Sequence, residues 1–173
     1  RHPDAVNTIL SFQPTIDAAT YNSETALLIA VKSQNAQIAE MLIRAGSDID
    51  KSDRYGASPL HYAAIYGAYQ MADMLLYYFA SSDNKSNDGT TPLMAAVWSG
   101  FPDIVSLMLS KGANLEARDN DGFTPFLVAA QNGDTLIMGM LLEKGVEIYE
   151  KNYFNYDALD LAVRSDAADA VRY

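Results

Sequence analysis

The sequence predicts an all-α repeat protein in which each unit folds as two short helices and a turn. A Ser/Thr-Pro-Leu/Phe element recurs every 33 residues, and glycine returns with the same period. A fixed period of this length indicates an array of stacked units. The recurring elements are Ser58-Pro59-Leu60, Thr91-Pro92-Leu93 and Thr124-Pro125-Phe126, and the recurring glycines are Gly56, Gly89 and Gly122, then Gly67, Gly100 and Gly133, then Gly46, Gly112 and Gly145.

The first helix of each unit begins at the Ser/Thr-Pro element. Ser58, Thr91 and Thr124 suit an N-cap, and the proline that follows suits the first helical position because its missing N–H has no partner there. Alanines such as Ala63 and Ala64 then allow neighbouring helices to approach closely. The Gly67 set ends this helix, as a left-handed glycine commonly does.

The second helix of each unit carries apolar residues at helical spacing. Ile38, Met41 and Leu42 show the pattern in one unit, and the Gly46 set ends the helix. A polar stretch rich in Asp, Asn and Gly follows, such as "EARDNDG". This composition predicts a β-turn or hairpin that leads to the next unit.

With these elements placed, the stretches "SPLHYAA" and "TPLMAAVWSGFPDIVSLMLSKGANLEA" resemble ankyrin repeats. The resemblance covers nearly the whole chain. It implies an all-α ankyrin-repeat solenoid of stacked antiparallel helix pairs with projecting β-hairpin loops and a concave face.

The period divides the chain into one domain of partial and full repeats. We expect a partial N-terminal repeat (second helix and loop) at 1–19, repeat one at 20–52, repeat two at 53–85, repeat three at 86–118, repeat four at 119–151 and a partial repeat five at 152–173. Repeat five is expected to stop in its second helix. Because no polar terminal cap is evident, we also expect more chain on at least one side.

Three departures from the repeat pattern predict local irregularity. Gln34 stands where a helix-ending glycine is expected, and its neighbour Asn35 could adopt the left-handed conformation instead. Phe79 replaces a glycine, so the hairpin between repeats two and three is expected to be distorted. Repeat five lacks the Thr-Pro element and is expected to be less regular.

Composition excludes several functions. The net charge of −10 argues against nucleic acid and anionic membrane surfaces, and it favours a basic partner. The chain has no cysteine and no apolar run near the roughly 20 residues of a membrane span. We find no catalytic constellation, metal site or cofactor motif, and we expect His61 to make a structural hydrogen bond to the cap hydroxyl. The compartment is not fixed: the cytoplasm is expected, with secretion or the periplasm as alternatives.

The resemblance implies that a partner binds the hairpin tips and the exposed side of the first helix. These positions hold eight of the eighteen aromatic residues, and exposed aromatic rings dominate protein interfaces. Trp98 in particular is expected to face outward, because Gln131 occupies its place one repeat later. The predicted partner-binding residues are Tyr21, Arg54, Tyr55, Ile65, Tyr66, Asp88, Trp98, Asp121, Phe123, Gln131, Tyr153, Phe154 and Tyr156.

The sequence therefore favours a non-enzymatic module that binds an apolar or basic protein or peptide. The alternative is a targeting domain of a larger enzyme or secreted effector, whose catalytic part lies outside this chain. A monomer is expected, and stacking of the open ends into dimers or longer arrays stays open as an alternative.

Overall fold

The computed structural model describes residues 2–12 and 14–170, with side chains through residue 165. The helices in this part of the chain are α1 (Pro3–Leu10), α2 (Ala26–Lys32), α3 (Ala36–Arg44), α4 (Pro59–Ile65), α5 (Tyr69–Tyr77), α6 (Pro92–Trp98), α7 (Pro102–Ser110), α8 (Pro125–Asn132), α9 (Thr135–Leu142) and α10 (Ala158–Ala170). None of these helices is long and apolar enough to cross a membrane.

The helices stack in two layers. The inner layer contains α2, α4, α6, α8 and α10, each packed on the next, and the outer layer contains α1, α3, α5, α7 and α9. Each inner helix from α2 to α8 also packs on the outer helix that follows it. One continuous hydrophobic core lies between the layers and runs through the repeats. This is the predicted solenoid of helix pairs.

The inner helices begin at the predicted caps. The hydroxyls of Thr91 and Thr124, and that of Thr25, accept hydrogen bonds from the backbone N–H three residues later. Ser58 also stands at the N-cap of its helix, but its hydroxyl contacts His61 Nδ1 instead. Proline occupies the first turn of α4, α6 and α8. Each threonine cap therefore satisfies one of the backbone donors that a helix start leaves free.

The loops between repeats are turns, and no residue of the described chain forms a β-strand. In repeat two, the Asp53 N–H donates to the Ala57 carbonyl at 3.1 Å, and the Gly56 N–H donates to the Asp53 carbonyl at 2.9 Å. The same pair of bonds closes the hairpin in repeats three and four. The predicted β-hairpin loops therefore contain turns without strands in the described part of the chain.

Four non-glycine residues adopt the left-handed conformation, and all four stand at glycine positions of the repeat. They are Ser23, Gln34, Phe79 and Asn155, with φ between 53° and 66°. The expectation for Asn35 was wrong: Gln34 takes the left-handed conformation itself, and Asn35 caps α3 with φ −98°. The backbone geometry is therefore imposed by the stack even where the residue disfavours it.

The loop at Phe79 is not distorted, contrary to expectation. Its Ala80 N–H donates to the Leu75 carbonyl at 2.9 Å, as the Ser47 N–H donates to the Leu42 carbonyl at 3.0 Å one repeat earlier. Repeat five differs from expectation in another way. It continues as the single helix α10, about twice as long as the other inner helices, rather than breaking before a second helix. Val171 to Tyr173 lie outside the described residues.

Candidate partner-binding site

The hairpins are joined into a row along one edge of the solenoid. The backbone N–H groups of Arg54, Asn87, Asn120 and Tyr153 each donate to a carbonyl of the preceding hairpin, at 2.9–3.1 Å. The side-chain amides of Asn87 and Asn120 add a second bond to the preceding hairpin, at 2.9 Å each. The tips therefore form a fixed surface, because each is held by its neighbour.

Glycine is needed where one hairpin approaches the next. At Gly56, φ is +75° and an added Cβ would lie 2.8 Å from the backbone nitrogen of Asn87. At Gly89, φ is +83° and a Cβ would lie 2.7 Å from the backbone nitrogen of Asn120. Both the backbone conformation and the close approach exclude a side chain without adjustment.

An open cleft of about 510 Å³ lies between repeats two and three, at the repeat-two/three junction. Its walls include the ring of Tyr55 from one hairpin, Ile65 at the end of α4, and Ala95 and Trp98 from α6. Ile65 and Trp98 stay 42% and 45% exposed. An apolar cleft with half-exposed aromatic and aliphatic walls has the character of a binding pocket.

Neighbouring elements hold Trp98 in place. The side-chain amide of Asn132 donates to the carbonyls of Val97 and Trp98, at 3.2 and 3.3 Å. Leu93, Ala96 and Val97 of the same helix are fully buried. The indole therefore projects from a rigid helix end, on the exposed side as predicted.

Asp88 contributes a negative charge to the cleft. It is exposed and accepts hydrogen bonds from the Ser86 hydroxyl and from the Thr90 N–H. Partial burial alone would raise the pKa of Asp88, but these hydrogen bonds outweigh it and lower the pKa below the usual value. The carboxylate is ionised at neutral pH.

His61 lies at the base of the same cleft and is buried. The Ser58 N–H donates to His61 Nδ1 at 3.1 Å, and the Ser58 hydroxyl lies 2.8 Å from the same nitrogen. Nδ1 is therefore an acceptor, and Nε2 carries the proton and donates to the Thr90 carbonyl at 2.9 Å. Burial lowers the pKa of His61. The ring is a neutral structural bridge between repeats two and three, which confirms the predicted bond to the cap hydroxyl.

The equivalent surface between repeats one and two, at the repeat-one/two junction, is closed by a charged cluster. Lys32 Nζ lies 2.6 Å from Glu24 Oε1, 3.3 Å from Asp53 Oδ2 and 4.0 Å from the centre of the Tyr62 ring. The Tyr62 hydroxyl donates to Asp53 Oδ2 at 2.6 Å. Burial alone would lower the pKa of Lys32, but the carboxylates raise it above its usual value.

The structure brings together only part of the predicted set. Tyr55, Ile65, Asp88 and Trp98 line the cleft. The remaining predicted residues do not line it: Tyr21, Arg54, Tyr66, Asp121, Phe123, Gln131, Tyr153, Phe154 and Tyr156. Four of the predicted residues therefore meet in one cleft at the repeat-two/three junction. Other predicted aromatic residues are exposed outside it: Tyr21, Tyr66, Tyr153 and Phe154.

Several of these outlying residues have structural contacts. Phe123 is half-buried against the core. The Arg164 guanidinium stacks 4.4 Å from the centre of the Tyr156 ring, and the Arg54 guanidinium stacks on Tyr55 at 4.7 Å and donates to Asn22. Gln131 is half-buried, and its side-chain oxygen has no hydrogen-bond partner among the described residues.

Sequence reasoning missed two residues that shape the cleft. Tyr62 and Ala95 occupy equivalent positions one repeat apart, and both line the cleft. Ala95 is nearly fully buried, and its small side chain leaves the space beside Trp98. Ala57, which the hairpin pattern places on the same face, also lines the cleft but is buried. A small residue beside a tryptophan is the signal that could have located this space from the sequence.

No group of three or more His, Asp or Glu side chains in the described part of the chain could hold a metal ion.

Comparison with models of known protein families shows which family the chain belongs to. A model described as "Ankyrin repeats (3 copies)" matches residues 1–88, and two models described as "Ankyrin repeat" match residues 88–120 and 121–150. The chain therefore belongs to the ankyrin repeat family. Proteins of this family are in general protein–protein interaction modules and are typically non-catalytic. Comparison with curated proteins finds no match.

Proposed function

We propose that the protein binds a segment of a partner protein that combines one apolar side chain with a nearby cation. The apolar side chain enters the cleft at the repeat-two/three junction, against Ile65 and Trp98. The cation pairs with Asp88 at the edge. The observation that carries the proposal is the half-exposed Trp98 on the wall of a preformed apolar cleft.

The character of the cleft supports this partner chemistry. A half-exposed indole adds nothing to the core on its exposed side, but it buries a large area when a partner covers it. Asp88 is ionised and exposed, and the whole chain carries a net charge of −10. A cationic partner is therefore attracted before contact and then oriented by Asp88.

The equivalent surface at the repeat-one/two junction supports the choice of site by contrast. Lys32 occupies the position equivalent to Ile65 and Trp98, and its charge is already satisfied by Glu24 and Asp53. A partner would gain little there, because binding would have to displace existing ion pairs.

The test is selection of binders from a displayed library of random peptides on the wild-type protein. We expect the recovered peptides to share an aromatic or aliphatic residue a few positions from Lys or Arg. Trp98 is the only tryptophan in the chain, so its fluorescence should shift to shorter wavelength as a synthetic peptide covers it.

Substitution provides the quantitative arm of this test. Trp98→Ala should weaken binding of a selected peptide by about 2 kcal/mol or more, as at a hot spot. Asp88→Asn should weaken it less and reduce its salt dependence. Tyr149→Ala is the matched control, because Tyr149 is an exposed aromatic residue outside the cleft. Peptides that bind Trp98→Ala as tightly as wild type would contradict the proposal, as would an equally large loss of folding stability.

A further inference from the structure

A tyrosine ring of the chain itself occupies the repeat-one/two junction. Lys32 Nζ lies 4.0 Å from the centre of the Tyr62 ring, and the Tyr62 hydroxyl donates to Asp53 Oδ2 at 2.6 Å. The centre of the Tyr66 ring lies 6.0 Å away, and Glu24 pairs with Lys32 beside the ring. The repeat fold therefore accommodates a whole tyrosine ring at this position of an inner helix.

The open cleft at the repeat-two/three junction lies at the equivalent place one repeat later. Ala95 stands where Tyr62 stands in the preceding repeat, so the chain supplies no ring there. The residues equivalent to the neighbours of the Tyr62 ring all line the cleft: Ile65 for Lys32, Ser86 for Asp53, Ser99 for Tyr66 and Ala57 for Glu24. The cleft thus has the position and the surroundings of the Tyr62 ring, without a ring of the chain's own.

The same replacements remove the charges that surround the ring at the closed junction. Lys32, Glu24 and Asp53 are replaced by an isoleucine, an alanine and a serine. An unpaired charge is costly to bury, so the space above Ala95 favours a neutral ring over a charged side chain. Asp88 lines the same cleft and is exposed. A matching partner therefore carries a neutral ring, with its cation outside the ring site and beside Asp88.

Ser86 provides a hydrogen-bond partner at the place of Asp53. Its hydroxyl donates to Asp88 and lies 3.0 Å from the Thr90 carbonyl oxygen. The hydroxyl oxygen also has lone pairs with which to accept. A phenol hydroxyl at the place of the Tyr62 hydroxyl can therefore donate to Ser86, as Tyr62 donates to Asp53.

We infer that the partner anchors itself with a tyrosine side chain, which fills the space above Ala95 and so takes the place that Tyr62 fills one repeat earlier. This inference rests on the proposed function and names the apolar side chain of that partner. The ring packs against Ile65 and Trp98, its hydroxyl donates to Ser86, and the cation of the partner stays beside Asp88.

The experiment measures the binding of synthetic peptides of the form Lys-Gly-X-Gly-Lys, in which X is Tyr, Phe, Leu or Ala. The fluorescence of Trp98, excited where tyrosine does not absorb, reports binding. The Tyr peptide should bind most tightly. The Phe peptide should bind about fivefold more weakly, because it lacks the hydroxyl. The Ala peptide should bind at least about tenfold more weakly than the Phe peptide, because it has no ring to bury.

Ala95→Tyr supplies the ring from the chain itself. The variant should melt no lower than wild type, because Tyr62 is accommodated at the same position of repeat two. Its Trp98 emission should lie at shorter wavelength without peptide, since the new ring covers part of the indole. The Tyr peptide should bind it at least about tenfold more weakly than it binds wild type.

A smaller substitution and a matched control accompany this variant. Ala95→Val introduces the residue that repeat four carries at this position, Val128. It fills part of the space and should weaken binding of the Tyr peptide by a smaller factor than Ala95→Tyr does. Ser106→Tyr is the control, because Ser106 is exposed on α7 outside the cleft, and it should bind the Tyr peptide as wild type does.

The results separate this inference from the proposed function. A Tyr peptide that binds no more tightly than the Leu peptide would overturn the inference, as would unchanged binding to both Ala95 variants or an Ala95→Tyr protein that melts well below wild type. If peptide binding still requires Trp98 in those cases, the proposed function stands. Binding that Trp98→Ala leaves unchanged would overturn both, as would a wild-type protein that binds none of these peptides.

Discussion

The repeat-one/two junction and the repeat-two/three junction share one backbone arrangement and have opposite surfaces. At the first, Lys32 folds over Tyr62 and pairs with Glu24 and the buried Asp53. At the second, Ile65 and Trp98 stand apart across an open cleft. Lys32, Ile65 and Trp98 are equivalent residues. The difference shows that the repeat fixes where a side chain emerges, while side-chain chemistry decides whether the surface closes on itself or stays open to a partner.

The largest expected effect comes from breaking the closed junction. Asp53→Ala removes the carboxylate that accepts from Lys32, from the Tyr62 hydroxyl and from the N–H groups of Tyr55 and Ala57. Because the side chain of Asp53 is buried, we expect a loss of about 3 kcal/mol in unfolding free energy. Urea denaturation measures it. Asp73→Ala, at an exposed position on α5, is the control, and an equal loss there would contradict the expectation.

The next effect is at the hairpin of the open junction. Gly56→Ala should destabilise the protein by about 2 kcal/mol, because alanine disfavours positive φ and its Cβ crowds Asn87. Ser23 is the equivalent residue at the closed junction and already carries a Cβ, so Ser23→Ala should change stability by less than about 0.5 kcal/mol. Denaturation of both variants tests whether the two hairpins differ in this way.

A smaller effect of opposite sign is expected in the loops that lead to the two junctions. Phe79 is 90% exposed with φ +66°, where the equivalent Gly46 has φ +94°. Phe79→Gly relieves the conformational strain and sacrifices little burial. After allowance for the greater freedom of glycine in the unfolded chain, we expect a gain of about 0.5–1 kcal/mol. Gly46→Ala should do the reverse, and a destabilised Phe79→Gly protein would show that the exposed ring has a folding role.

The smallest expected effect is on the pH dependence of folding stability, to which a residue at each junction contributes over a different pH range. Burial lowers the pKa of His61, so the unfolded state binds the proton more tightly and stability falls as pH drops below the ordinary value of about 6.5. Burial would raise the pKa of Asp53, but its hydrogen bonds lower the pKa below the usual value. The Asp53 contribution is therefore fully present above about pH 4 and is lost as pH falls further.

His61→Gln should remove the loss of stability below about pH 6.5 and keep the Asp53-dependent loss below about pH 4. Glutamine at this helix position can still accept from the Ser58 N–H, as in a capping box. Denaturation midpoints measured from about pH 3 to pH 8 would resolve the two steps. If the stability of the variant still falls as pH drops through about 6, a group other than His61 causes that dependence.

The repeat period and the helix N-caps could be predicted from the sequence, because each follows from a local requirement that recurs in every repeat. Thr91 and Thr124 cap helices for the same reason in each repeat, and the outward position of Trp98 follows from Gln131 at the equivalent position. The cleft was harder to predict from the sequence. Its shape depends on Ala95 being small beside Trp98. The contrast with the repeat-one/two junction depends on Lys32 being held by Asp53 from the following repeat. Lys32 and Asp53 are 21 residues apart and belong to different repeats, so no local pattern specifies that their side chains meet.

The sequence by itself determined the repeat, its helix boundaries and the side of each helix that is buried, since helix periodicity and capping act over a few residues. Only the tertiary structure decided which exposed positions meet. It placed Gln34 and Phe79 in a backbone conformation that neither favours, because contacts across the stack outweigh a local cost of about 1–2 kcal/mol.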